Sequence, residues 1–466
     1  MSQTTVIDFV RSEEAPARAR IADLLHKGIC GAVLFLIAFA PVPYGTVEPW
    51  WKAAFVCFVF VLTIFAIIER LLSGTSKIEG APVLAPIFVL AIFGLLQTIS
   101  FRGGPVWNAI SADPYQTRFV VLQLVALALL LWLLYRYVSS EERTRALIYV
   151  VLAIAVVSAV YGILRQTMQQ SPGFLLPLVK PSQGYGQFIN KNHFAFLMEM
   201  ALGLGLGLIV AGGIKRERIV LVVAMLMPIW TGLVLSNSRG GILAMLAQVI
   251  VTSILLSSYA HTNSRLRTQL RIARLATSAA ARIALVVALV IGVSVGVLWV
   301  GGDRLLGSLD NVNRELNPTE NGLNEGATRN EIWRATLKMY AAHPVLGVGL
   351  GGYWIAITKY HQASGALTPQ EAHNDYLELI SSAGIVGLAI GVWFVVVMLQ
   401  RVRQQLGSTN PFRRALCFAA LLGLTGVAVH SLVDFGLHML ANAAVFIVLI
   451  MMATTDISFN KHVRRH

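Results

Sequence analysis

Apolar runs close to 20 residues long recur from one end of the chain to the other, and no other feature restricts its fold as severely. A helix needs about 20 apolar residues to cross the hydrocarbon core of a bilayer, where every backbone polar group must be satisfied internally. The pattern predicts about twelve such helices. Their centres fall at Leu34, Val61, Val89, Leu127, Ala153, Leu202, Met225, Ala247, Leu289, Leu388, Leu421 and Ile447, the runs near Met225 and Leu421 being short. Composition agrees. Of the 466 residues 56% are hydrophobic and 13% charged, against about 25% charged in soluble domains. The expected fold class is an all-α polytopic membrane protein.

Flanking charge sets the orientation, because basic residues accumulate on the cytoplasmic side of membrane helices. With a cytoplasmic N-terminus the inner side holds Arg11, Arg18, Arg20 and Lys27, then Arg70, Lys77, Arg136, Arg143 and Arg145. Lys215, Arg216 and Arg218 follow, then Arg265, Arg267, Arg271, Arg274 and Arg282. Arg401, Arg403, Arg413, Arg414, Lys461, Arg464 and Arg465 complete the rim. Roughly 24 of the 37 basic residues then lie inside, and both termini are expected to be cytoplasmic. The net charge of +14 is mostly this rim, which fits an anionic lipid surface and argues against nucleic acid as a partner. The first span follows a polar stretch with no small-residue cleavage site, so no removable leader is expected. Cys30, Cys57 and Cys417 fall inside spans as small apolar side chains, which argues against a disulfide or zinc framework.

The predicted organisation is a cytoplasmic segment over 1–27, spans one to nine over 28–300, and an outer loop over 301–372. Spans ten to twelve follow over 373–456, then a cytoplasmic tail over 457–466. The loop opens with a polar, Asn- and Gly-rich stretch that favours irregular chain. RNEIWRATLKMYAAH follows, with Ile332, Trp333, Leu337 and Tyr340 at helical spacing, so an amphipathic helix is expected before Pro344. A second outer excursion, 165–192, carries Pro172, Pro177 and Pro181 and is expected to be re-entrant or interfacial. Gly347, Gly349, Gly351 and Gly352 invite comparison with a nucleotide loop, but no G-K-[ST] follows, so they are read as tight turns.

Polar chemistry gathers at the outer ends of the spans. In EAHNDYLELISSAGIVGLAIG, the residues His373, Leu377, Ile380, Gly384, Gly387 and Gly391 step by four and three, and so are expected to share one closely packed helix face. Asn374 and Glu378 fall on the neighbouring face. An unpaired carboxylate at that depth costs about 3 kcal/mol, so Glu378 must meet a polar cavity or partner. His373 and Glu378 are the candidate catalytic residues, Glu48 is a rival base, and Asn374 or Asp375 is the expected orienter of the imidazole.

SNSRGG sets Arg239 at a helix start, where an anion would satisfy both the guanidinium and the free N–H groups. INKNHF repeats the arrangement with Lys191 and His193, and Arg165, Arg329 and Arg334 add outer cations. HSLVDFGLH spaces His430, Asp434 and His438 four apart. A metal stripe is conceivable there, although a hydrogen-bonded turn is the commoner meaning of such a pattern. No metal-ligand set is evident beside His373, and no metal or other cofactor is expected. Cations, a histidine and carboxylates in an outward cavity suit a diphosphate with a lipid tail. Arginine forks match phosphate oxygens, and a histidine can take a proton from an attacking hydroxyl.

These residues resemble the O-antigen ligase family. HNDYLELISSAGIVG fits its H-[NSQ]-x(9)-G-x-x-G signature, with His373, Asn374, Gly384 and Gly387 on the motif positions. GTVEPWW, INKNHFAFLMEMALGL, SNSRGGILA, HPVLGVGLGGY and HSLVDFGLHMLANA resemble further segments of O-antigen ligases and exopolysaccharide polymerases, so the likeness runs over nearly the whole chain. The resemblance implies a GT-C-like glycosyltransferase of the bacterial inner membrane that works on the periplasmic face without a metal. It would move a glycan from an undecaprenyl-diphosphate-linked donor to an acceptor hydroxyl, on a lipid A-core glycolipid or a second lipid-linked glycan. The base would be His373, and Arg239 would hold the diphosphate, with Lys191, His193, Arg165, Arg329 and Arg334 as further donor-binding candidates. Ligases continue the motif with Thr-Thr where Leu388 and Ala389 stand here, and the R-x(10)-G repeats of some polymerases are missing. Lipid A-core, a second lipid-linked repeat and a protein hydroxyl therefore stay open as acceptors. A lipid-glycan flippase would need a similar cavity, but the internal repeat common in transporters is missing.

Overall fold

The computed structural model describes residues 3–75, 78–100, 109–167, 184–262, 329–361 and 369–456. These residues are helical, with no β-strand among them. The helices are α1 (Gln3–Phe39), α2 (Pro49–Ser73), α3 (Ala81–Gln97), α4 (Pro114–Tyr137), α5 (Glu141–Thr167), α6 (Lys191–Val210), α7 (Arg216–Leu235) and α8 (Arg239–Thr262). After 328 come α9 (Arg329–Ala342), α10 (Tyr353–Ala356), α11 (Asp375–Leu406), α12 (Pro411–His430) and α13 (Leu440–Thr454).

Eight of these are long and apolar enough to cross a membrane, α1 from Arg18 onward together with α2, α4, α5, α6, α7, α11 and α12. Shorter apolar helices span Ala81–Gln97, Arg239–Ser253 and Leu440–Thr454. The expected centre at Leu289 lies outside the described residues, as do 301–328 of the outer loop, Pro172, Pro177 and Pro181, and the tail 457–466. Every other expected centre falls inside one of these helices. The runs near Met225 and Leu421 form full 20-residue helices, α7 and α12. Among the described residues the shortest of these apolar stretches are instead Arg239–Ser253 and α13.

Local chemistry explains several helix starts. Asp113 accepts from the Gln116 N–H at 3.0 Å, with Pro114 in the first helical position. Asn410 caps Phe412 and Arg413 in the same way ahead of α12. At the centre, 83% of the apolar window of α6 is buried against 22% for α11, so α6 is the axis of the bundle and α11 lies on its rim. The α6 axis packs most extensively on α12. There Gly203 approaches so closely that a Cβ would meet the Gly423 nitrogen at 2.7 Å, the small-residue contact that brings membrane helices together. The Gln248 amide ties the pair, donating to the carbonyls of Glu199 at 2.9 Å and Leu422 at 3.1 Å.

The largest departure from the sequence reading concerns α11. It is not one continuous face, because Gly384 has φ +63° and ψ −162° and breaks the helix. The segment after α9 enters the gap. Ile385 donates to the Pro344 carbonyl at 2.9 Å, while Val348 and Gly349 donate to the freed carbonyls of Ser381 at 3.1 Å and Ser382 at 2.9 Å. Gln97 locks this insertion from α3, donating to Leu346 and Ser382 and accepting from the Leu350 N–H. A Cβ on Gly384 would lie 2.2 Å from the Val345 oxygen, so the glycine serves a backbone crossing and not helix–helix packing. His373 also stands outside the helix, one residue before the Asn374 cap. The Gly347–Gly352 run is the inserted turn, as its spacing predicts. Helix α9 forms where expected, but it buries Ile332, Ala335, Thr336 and Met339 and leaves Leu337 exposed, so the packed stripe is turned from the predicted one.

Candidate functional site

The start of α11, the turn between α12 and α13, and the starts of α6, α8 and α9 meet at one end of the bundle. The stitching is polar. Asn374 accepts from the Tyr376 and Leu377 N–H groups, both at 3.0 Å, and donates to the Leu432 carbonyl at 2.8 Å. The Asp375 N–H donates to the Ser431 carbonyl at 3.0 Å, and the Ser431 hydroxyl donates to the Asp375 carboxylate at 2.6 Å. Asn374 and Asp375, which the sequence reading took as orienters of the imidazole, therefore fasten α11 to the turn.

The residue that faces His373 is Asp434. His373 Nδ1 lies 3.5 Å from Asp434 Oδ1, with the carboxylate fully buried and the histidine one-third exposed. Asp434 also accepts from the Phe435 N–H at 2.9 Å and from the Asn192 amide, and its other oxygen lies 3.6 Å from Arg329. Burial alone would raise the Asp434 carboxyl. The adjacent His373 imidazole, the charge of His193 and the Phe435 N–H outweigh it and hold the group below the ordinary carboxylate range. Phe435 presents its ring nearly perpendicular to three imidazoles, His193 and His373 at 4.8 Å and His438 at 5.7 Å. His193 is buried against this ring, so it serves the floor of the site and is not an exposed donor ligand.

The cations divide. Lys191 and Arg239 are exposed at the starts of α6 and α8, and the charges of Arg239 and Arg329 both reach Lys191. Ser238 accepts from the Gly241 N–H at 3.2 Å, the cap that sets Arg239 at its helix start. These three cations form one group beside Asp434. Arg334 follows Arg329 by five residues, about 140° around α9, and is exposed on another face. Arg165 donates to the Gly186 carbonyl at 2.8 Å at the end of α5. Glu48 stands at the start of α2, where its charge acts on Lys52.

The His430–Asp434–His438 stripe does not exist as a stripe, because α12 ends at His430 and a tight turn follows. His430 is buried 2.8 Å from Glu199 and stacks on Phe196. His438 turns to the acids at the start of α11. Its Nδ1 lies 3.3 Å from Glu371, and its Nε2 lies 3.4 Å from Glu378 and 3.8 Å from Asp375. Burial opposes a charge on His438, but Glu378, Glu371 and Asp375 overcome it and push its pKa up to about 10. Glu378 accepts from the Ala372 N–H at 2.9 Å and faces His438, so this candidate catalytic carboxylate belongs to the second cluster. Glu371, Glu378 and His438 make a possible metal-ligand set, which the sequence reading missed because Glu371 precedes the helix.

A bundle of membrane-length helices with an imidazole–carboxylate pair and grouped cations at one end defines a multi-pass membrane protein with a polar site. Residues 220–392 match the family model described as O-antigen ligase, and the match supports assignment to the O-antigen ligase and polymerase family. The matched stretch includes Arg239, Arg329 and His373, while Lys191, Asp434 and His438 fall outside it. No curated protein matches the chain. Members of this family are membrane enzymes of the glycosyltransferase type that act on lipid-linked glycans.

Proposed function

We propose that the chain transfers a glycan from an undecaprenyl-diphosphate-linked donor to an acceptor hydroxyl on the periplasmic face of the bacterial inner membrane. The observation that carries this reading is the His373–Asp434 pair beside Lys191, Arg239 and Arg329. Nδ1 of His373 faces Asp434, which leaves Nε2 to take the proton of the acceptor hydroxyl. The acceptor oxygen then attacks the anomeric carbon, the bond from that carbon to the diphosphate oxygen breaks, and undecaprenyl diphosphate leaves. Lys191, Arg239 and Arg329 stabilise the charge that develops on the leaving oxygen. Asp434 stabilises the imidazolium. The periplasmic placement is supported by Arg136, Arg143, Arg145, Lys215, Arg218, Arg413 and Arg414, which flank the opposite ends of the helices.

Ligation to lipid A-core is the leading reading, and polymerisation is the same chemistry on a second lipid-linked glycan. Glycolipids accumulating in a deletion strain separate the two. Full-length chains left on the carrier mean a ligase, and unpolymerised repeats mean a polymerase. The chemistry itself is tested by His373→Ala and His373→Gln. Both should bind the lipid-linked donor and transfer about a hundredfold more slowly or worse. Transfer at close to the normal rate would remove His373 from the mechanism.

A further inference from the structure

We propose that Glu371, Glu378 and His438, at the N-terminal end of α11, bind a divalent transition-metal cation. Each residue offers a ligand atom, and the three atoms lie within 4.8 Å of one another. His438 Nε2 and Glu378 Oε1 are 3.4 Å apart. Ligand atoms held about 2.1 Å from a zinc ion are separated by about 3.4 Å along the edge of a tetrahedron. Glu371 lies 3.3 Å from the other ring nitrogen, Nδ1, and must turn toward Nε2 to share the ion.

Charge provides an independent argument. Asp375 Oδ1 lies 3.8 Å from the same imidazole nitrogen as Glu378. Three acids thus face one histidine. Glu378 is only 6% exposed, with one oxygen accepting from Ala372 and the other aimed into the cluster. A carboxylate buried at that depth is costly unless a cation pairs with it.

The cluster is built and accessible. Ala372 fixes Glu378, Ser431 fixes Asp375, and Phe435 packs against the His438 ring. Such supports orient ligands ahead of binding. About a third of the His438 and Glu371 side-chain surface is exposed, which gives the ion an entry path and an open coordination position. An imidazole with two carboxylates favours zinc or manganese over calcium and magnesium.

The test reads ion binding directly, so its result is independent of the transfer reaction proposed above. Untagged full-length protein in detergent is stripped with EDTA, dialysed, and titrated with Zn2+ by calorimetry and with Mn2+ by electron paramagnetic resonance. Wild type should show saturable binding of one ion per chain. Glu371→Gln and His438→Ala should each weaken it about tenfold or more, while Glu141→Gln, at the opposite end of the bundle, should not. His438→Gln replaces any variant that does not elute as the wild type does on size exclusion. Absence of saturable binding to wild type, or equal binding by Glu371→Gln and the His438 variants, would overturn the proposal. In either case His438 acts only as an imidazolium among the acids.

Discussion

His373 has a φ of +50°, a left-handed conformation that costs a residue with a Cβ about 1 kcal/mol or more. Asn237 has the same conformation at +51°, one residue before the Ser238 cap that precedes Arg239. Such strain persists where the surroundings over-determine the backbone, and here Ser431 and Leu432 do so from the facing turn. The turn thereby presents Asp434 to a ring whose backbone is already fixed. Asp434→Asn keeps the size of the side chain but removes the charge that compensates the imidazolium. Transfer should fall about 10²–10⁴-fold while donor binding is retained, as measured by single-turnover transfer beside a separate binding assay. A near-normal rate would reduce Asp434 to a brace for the turn. His373 is legible in the sequence because a titratable ring beside a capping Asn at a span boundary is rare and costly. Asp434 is not legible as its partner. Helical spacing relates only residues three or four apart, so it groups Asp434 with His430 and His438, and the turn after α12 sends each to a different element.

Among the elements, α11 shows how a motif can be read correctly and explained wrongly. Gly384 and Gly387 look like a packing stripe, since a continuous helix would place them on one face. The backbone amides of 344–349 replace the helix hydrogen bonds at Gly384, and that exchange joins segments distant in sequence, which periodicity cannot register. The apolar runs themselves were legible at nearly every described position, because crossing a bilayer leaves the sequence little choice. Gly384→Ala meets both a positive φ and the Val345 oxygen, a combined strain of about 2–4 kcal/mol. Gly391→Ala meets only Leu379 at 3.4 Å, an ordinary contact. Thermal denaturation in detergent should therefore show a clearly lower midpoint for Gly384→Ala and an unchanged one for Gly391→Ala. Equal midpoints would mean that the break does not depend on glycine.

At the scale of the whole molecule, the two ends of the bundle differ in chemistry. One end carries the His373–Asp434 pair with its exposed cations. The other holds a buried clamp in which Arg136 donates to Glu69 at 2.7 Å and to Glu79 at 3.1 Å, and Arg143, Arg145, Lys215 and Arg218 stand at helix ends on that side. The topology proposed above puts the basic rim in the cytoplasm, because translocating clustered Lys and Arg is disfavoured during insertion. That assignment decides which donor can reach the site, since a lipid-linked diphosphate arrives activated on a side where nucleotides are scarce. Lys338 is exposed on α9 near the site, and Thr409 is exposed in the α11–α12 turn at the rim. In a chain freed of Cys30, Cys57 and Cys417, Lys338→Cys should react with an impermeant maleimide in intact spheroplasts. Thr409→Cys should react only after the membrane is opened. The reverse pattern would put His373 in the cytoplasm, where sugar nucleotides are available, and would remove the reason for assigning a lipid-linked donor to this site.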